Sequence, residues 1–232
     1  CYTCHPDGHE DGLTYDMSSK GGGRNLANVQ TLRDLAGTAP FKWNGTNTSI
    51  YMQCGMRFSK FITRTEAFTP NQLDALVAHI IQDLQHPPNL YRKPNEPLSA
   101  AQARGKLIYE RTSTNTGEPI PTENQCITCH PAPNYSNFKS ADVGTLAATD
   151  DPTSFDSPNL NNVYESAPYL HDGSANTLEE IWTVHNDYDQ HGVANDLTKE
   201  QLNDLIEYLK SLGAAEYYLN VSQQNVISHA QF

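Results

Sequence analysis

The sequence predicts an all-α chain of two related units in tandem, and three observations predict it. A Cys-x-x-Cys-His pentad occurs twice, the same landmarks follow each copy at nearly constant spacing, and each set closes in a stretch with helical apolar periodicity. The 232 residues divide into two bodies near the common domain size of roughly 100–150 residues. An apolar fraction of 37% with only 18% charged residues suits packed units with long loops. No apolar run approaches the about 18 residues that a membrane span requires. The nearest, Leu76-Val77 and Ile80-Ile81, is broken by His79.

The pentads are Cys1-Tyr2-Thr3-Cys4-His5 and Cys126-Ile127-Thr128-Cys129-His130. Two thiols at this spacing reach both vinyl groups of one porphyrin and form thioethers, while the adjoining imidazole takes the proximal position on the iron. The expected cofactors are therefore two haem c groups, tethered by Cys1/Cys4 and Cys126/Cys129, with His5 and His130 as metal ligands. A four-cysteine zinc site would leave both histidines unexplained and would join pairs from opposite halves of the chain. A thioredoxin-like pair needs a strand ahead of it, which Cys1 lacks. Cys54 is the odd cysteine and reads as a buried thiol.

The first unit spans 1–88. After its pentad come Thr38-Ala39-Pro40-Phe41, Trp43-Asn44-Gly45 and Thr69-Pro70-Asn71-Gln72-Leu73. Leu73, Leu76, Val77, Ile80, Ile81 and Leu84 mark the apolar stripe of a closing helix, with Thr69 as N-cap and Pro70 in its first position. Residues 89–97, flanked by prolines, read as an extended linker. The second unit spans 98–213 and opens with a helix over 98–109 that leads into its pentad. There follow Ser166-Ala167-Pro168-Tyr169, His171-Asp172-Gly173 and Thr198-Lys199-Glu200-Gln201-Leu202, displaced from the first set by 125, 128 and 129 residues at the pentad, the Ala-Pro pair and the cap threonine. Leu202, Leu205, Ile206, Leu209 and Leu212 carry the second stripe, with Gly213 as the expected C-cap. A tail, 214–232, follows. The first pentad has no lead-in helix, so a longer precursor is expected.

Charge separates the halves. Up to residue 97, nine Lys and Arg balance nine acids; the remainder carries six against eighteen, and with them the whole net charge of −12. That balance excludes a polyanion such as nucleic acid as the expected partner and leaves the second half either a solvated acidic face or a docking surface for a redox protein.

The second unit, through Val143-Gly144-Thr145, Phe155 to Val163, Ala167-Pro168-Tyr169-Leu170-His171-Asp172-Gly173-Ser174 and the closing helix, resembles the electron-transfer domain of bacterial di-haem cytochrome c peroxidases and their relatives. The first unit looks like a more divergent member of that superfamily, and the resemblance implies two cytochrome c-like domains, each wrapped around one haem. It also implies a sixth iron ligand fourteen residues past the histidine of the His-Asp-Gly turn, which falls on His185, with His171 and His191 as alternatives. A histidine there gives bis-His iron, at lower potential than His/Met iron. In the first unit the same count from Trp43 reaches Arg57, which cannot ligate iron, so Met56 is the expected ligand, ahead of Met52. The family's Ser-Leu-Arg-Asn segment is matched by Thr31-Leu32-Arg33-Asp34 but by Asn159-Leu160-Asn161-Asn162 in the second unit. Arg33 is then a candidate partner for a haem propionate, or a plain surface arginine.

Two functions follow. Two six-coordinate haems make an electron carrier, with Trp43 and Trp182 as the aromatic residues to look for beside the haems. A peroxidase or oxidase-like enzyme instead needs one iron with an open sixth site and an acid–base group nearby, and no glutamate is placed by motif to serve the first haem. Haem c attachment places the protein in the periplasm or outside the cell. Redox proteins are the expected partners, and self-association of the chain through its polar, aromatic tail into a homo-oligomer or filament is a further expectation.

Overall fold

The computed structural model describes residues 1–17, 26–56, 58–148, 150 and 153–213. Arg57 and the 214–232 tail, and with them the expectation of tail-mediated assembly, lie outside the described residues. In chain order the elements are β1 (Thr14–Asp16), β2 (Leu26–Asn28), α1 (Ile50–Cys54), α2 (Pro70–Gln82), α3 (Ala100–Tyr109), α4 (Cys126–Cys129), β3 (Ser140–Ala141), β4 (Phe155–Asp156), α5 (Leu178–Thr183) and α6 (Lys199–Lys210), most of them joined by long loops that carry single turns of 3-10 or π helix at Pro6–Gly8, Phe58–Thr63, Thr122–Asn124 and Val163–Glu165. No described helix is long and apolar enough to cross a membrane.

The expected helices form where their caps put them. Thr69 and Thr198 each accept a hydrogen bond from the backbone of the glutamine three residues on, and that glutamine's side chain returns the bond to the cap residue's own N–H. Ser99 and Gln102 do the same at α3. Each such box satisfies two of the backbone donors that a helix start leaves free. Gly213 is not the C-cap: α6 ends at Lys210 with Ser211 as cap, and Gly213, at φ +89°, lets the chain press on Asn162, where a Cβ would stand 2.8 Å from the backbone nitrogen.

Helices carry the core, but two antiparallel pairs, β1 with β2 and β3 with β4, are added to the all-α expectation. Two or three residues are too short to leave an alternating pattern in a sequence. The segment 89–97 is not a slack spacer either. Asn89 is buried, its amide donates to the carbonyls of Lys210 and Leu212, and its side-chain oxygen caps the N–H groups of Tyr91 and Arg92.

The two sets of landmarks fold alike. Phe41 bridges Asn47 and Tyr169 bridges Ala175 in matching turns, each preceded by a cis proline, Pro40 or Pro168, and followed by a capped helix, α1 or α5. Asp34 and Asn162, both at positive φ, donate to Leu84 O and Leu212 O at the ends of α2 and α6. The halves also meet by exchange: Asn28 N donates to His171 O and Asp156 N donates to Trp43 O, both at 2.7 Å. Each of these residues lies 128 positions from its counterpart in the other half, so the junction has the reciprocity of a two-fold contact.

Candidate functional site

Each pentad folds as a single tight turn. His5 N and Cys4 N both donate to Cys1 O, and His130 N donates to Cys126 O at 2.9 Å. One turn of helix brings the first and fourth side chains of each pentad to the same side, with the imidazole adjoining. All five cysteines are free thiols, Cys54 buried as expected.

The proximal imidazoles are oriented alike. His5 Nδ1 lies 3.2 Å from His9 O and His130 Nδ1 lies 2.9 Å from Tyr135 O. A carbonyl fixes the proton on Nδ1 and leaves Nε2 as the lone-pair nitrogen that a metal takes. Burial lowers the pKa of both, which favours the neutral, ligating form. Around His130 the Tyr109 hydroxyl donates to its carbonyl, and Tyr135 packs edge-on and Tyr208 tilted against Tyr109. Burial likewise pushes the Cys126 thiol up to about 11.

The residue facing this turn is His191 rather than His185. The loop 191–193 lies on the second pentad: Val193 N donates to Asn124 O, and a Cβ on Gly192 would stand 3.6 Å from Cys126 Sγ. His191 Nδ1 is buried without a partner, and burial together with the nearby His130 pushes its pKa down to about 4. Trp182 packs on it, ring centroids 6.4 Å apart, and donates its indole N–H to His191 O. His185 instead lies in a groove of about 380 Å³ with Asp172, Ser174 and Tyr188, its Nε2 3.2 Å from Ser174 O. His171 is enclosed elsewhere, with Nε2 3.0 Å from Asp150 and its ring stacked on Phe155.

In the first half the candidate sulfurs are not gathered in. Met52 and Met56 are 56% and 62% exposed, on and just past α1. Trp43 stands at the junction of the halves, its indole N–H donating to Asn28 O and its carbonyl accepting from Asp156. Arg33 is already engaged: its guanidinium donates to Asp7 O in the turn after the first pentad and to Glu165 of the other half. Around that pair lies a group that no motif singles out, His9, Glu10, His86 and Glu165, joined across the two halves. Its members are scattered along the sequence, and only folding assembles them.

Among the described residues no three His, Cys, Asp or Glu converge as a bare metal site. A porphyrin supplies four of its iron's ligands itself, so two thiols, one imidazole with its proton on Nδ1 and one opposing donor are the donor set it asks of a protein. The second half offers all of these, including an orphaned buried imidazole nitrogen; the first half offers the thiols and the proximal imidazole.

No family model matches the sequence. Hydrazine synthase subunit gamma of Kuenenia stuttgartiensis is 29% identical over 265 aligned positions, which cover 91% of this chain and 71% of that protein. A xenon-pressurised hydrazine synthase structure from the same organism superposes with a TM-score of 0.78 at 27% identity, covering 91% of this chain and 80% of its own. A MauG-like protein associated with microbial copper homeostasis gives 0.62 at 18% identity, covering 94% and 83%; a di-haem peroxidase from Burkholderia thailandensis gives 0.59 at 14%, covering 94% and 81%. The last two speak to fold alone. Together these likenesses show that the chain shares its fold with hydrazine synthase, MauG-like and di-haem peroxidase structures.

Proposed function

We propose that the chain is a di-haem c-type cytochrome, two cytochrome c-like domains in tandem, that passes single electrons between redox partners as part of a larger assembly. The observation that supports this best is the half-buried His191, its Nδ1 buried without a partner, close enough to His130 to lower its own pKa, in the loop that lies on the Cys126 thiol. Bound haem c supplies one-electron exchange at iron, and two imidazole ligands keep that iron six-coordinate and at a lower potential than a thioether would. His191, rather than His185, is the proposed sixth ligand. Cys1, Cys4 and His5 hold the other haem, with Met56 as its sixth ligand. The carbonyls of His9 and Tyr135 hold the Nδ1 protons, the tyrosines around His130 exclude water, and Trp43 carries the contact between the domains. Arg33 serves as a cross-domain ion pair rather than as a propionate partner. The likeness to hydrazine synthase subunit gamma, a subunit by name, supports a multi-protein setting, and haem c chemistry supports a periplasmic or extracellular one.

The test is spectroscopic. The holoprotein is expected to show two low-spin ferric haems and no peroxide turnover; His191→Ala converts one haem to high spin, whereas His185→Ala leaves both unchanged. A low-spin second haem in His191→Ala would falsify the ligand assignment. One observation favours a second reading, catalysis at the first haem: both methionines that could close its sixth position stand exposed. Rapid hydrogen peroxide reduction with a high-spin signal, lost in the Cys1→Ser/Cys4→Ser variant, decides for that reading.

A further inference from the structure

We propose that Glu10 is a proton-loading site that couples proton uptake to the arrival of an electron at the first haem. The proposal rests on the reading that Cys1, Cys4 and His5 hold that haem. Glu10 lies at the junction of the halves with its side chain 6% exposed and Oε1 buried without a hydrogen-bond partner. Ser166 of the other half reaches the carboxyl, and His9 Nε2 stands 3.9 Å from it. The other charged or titratable groups facing this carboxyl are Glu165, Asp11, Arg33 and Tyr169, with His86 behind Glu165.

Arg33, the one cation among them, is shared between Glu165 and Asp7 O, and His9 directs its own ring nitrogens to Thr31 and to Glu165 O. A carboxylate at Glu10 is therefore short of donors and close to a second carboxylate. Burial first, then the charges of Glu165 and Asp11, push its pKa up to about 8. The peptide carbonyl immediately before Glu10, that of His9, is the acceptor of the His5 Nδ1 proton, so the carboxyl sits one residue beyond the hydrogen bond that orients the proximal ligand. A negative charge arriving on that side of the molecule raises the proton affinity of a poorly screened carboxylate. Tyr169, whose hydroxyl feels the Glu10 charge, also lines a cavity of about 570 Å³ with Tyr91 and Tyr164. The balance is simple: one electron enters from a reduced donor protein, one proton from water forms an O–H bond on Glu10, and both leave on reoxidation.

The experiment is a potentiometric titration of the full holoprotein from about pH 6 to about pH 10, a window set on either side of the Glu10 value. The first haem is identified by its loss in the Cys1→Ser/Cys4→Ser variant. Its midpoint is expected to be level at the acid end and to fall above about pH 8, by at most tenfold in equilibrium constant, or about 59 mV, per pH unit. The second haem's midpoint stays level through the same step. Glu10→Gln abolishes the slope without altering the second haem, and a carboxyl band that gains intensity on reduction of the wild type disappears from its infrared difference spectrum. A wild-type midpoint with no slope, or a slope that survives Glu10→Gln, overturns the proposal. Should Glu10→Gln not fold, the wild-type infrared band decides alone, and its absence is fatal. A denatured mass showing no haem on Cys1 and Cys4 sinks both this proposal and the reading beneath it, whereas a haem there with a Glu10-independent potential sinks this one only.

Discussion

In the second half α6 is crossed by α3, while α2, its counterpart in the first half, has the five-residue α1 as its main helical neighbour. The crossing is close because Gly105 has no Cβ: one would stand 1.9 Å from Asp204 O and 2.8 Å from Tyr208 Cβ. Leu202, Leu205, Ile206, Leu209 and Leu212 are all buried there, whereas in α2 only Val77 and Ile80 are, with Leu73, Leu76 and Ile81, and Leu84 just past its end, left half-covered. The two helices start with the same capping box and carry the same stripe. Local chemistry thus sets where a helix begins and which face is apolar; the neighbour it meets sets how much of that face leaves water.

The same contrast runs through the two pentads. His130 and Cys126 are enclosed by Tyr109, Tyr135, Tyr208 and the 191–193 loop, while Cys1 is exposed and the first half's methionines face outward. A tethered porphyrin would therefore be an integral part of the second core and a smaller part of the first. Replacing Cys126 and Cys129 by serine is expected to have the largest effect of any change here: one haem lost, and the core around α6 with it, read as loss of cooperative thermal unfolding. Cys1→Ser/Cys4→Ser also loses one haem but keeps the second haem's spectrum and a cooperative transition. Equal collapse in the two variants would erase the distinction between the halves.

Gly105→Ala probes the helix crossing itself. Glycine to alanine inside a helix ordinarily gains up to about 1 kcal/mol. Here the added methyl meets the α6 backbone, which has no flexible end to give, so a net loss of about 1–3 kcal/mol is expected in urea unfolding. Ala78→Gln, on the exposed face of α2, is expected to stay within about 0.5 kcal/mol. A neutral Gly105→Ala would mean that α3 and α6 do not cross as closely as the fold requires.

What could be read before folding follows this division. The pentads, the capped starts of α2, α3 and α6 and their stripes were legible, because each depends on residues within a few positions of one another. The reciprocal junction was legible only as a repeat: the offset of 128 announced two similar units, but nothing in it says that Asn28 meets His171 and Asp156 meets Trp43. Counting fourteen residues from His171 reaches His185, while the chain, turning through Asp189 at positive φ and Gly192, lays the 191–193 loop on the second pentad. A count along the sequence cannot follow a loop whose reversal is set by hydrogen bonds from Asn186, whose side chain bonds both His191 N and Gly192 O. The Glu10 group was illegible for the same reason, its members coming from three separate segments.

The junction offers the finest test, because its two equivalent positions carry different chemistry. Asn28 in the first half is an amide; its counterpart Asp156 is an acid, buried, with Oδ1 unpartnered and a pKa that burial raises to about 7. A carboxyl raised in the folded state binds its proton more tightly there than in the unfolded chain, so its contribution is whole below the unfolded value near 3.9 and is lost as pH rises through about 7. Asp156→Asn, which gives the second half the amide of the first, removes that loss. The variant should match the wild type near pH 4 and be more stable by on the order of 1–3 kcal/mol at pH 8, the cost of a buried polar group left unsatisfied. Urea unfolding at the two pH values reads the difference directly. A constant offset, independent of pH, would mean that Asp156 ionises freely and that the second half's side of the junction is open to water where the first half's is closed.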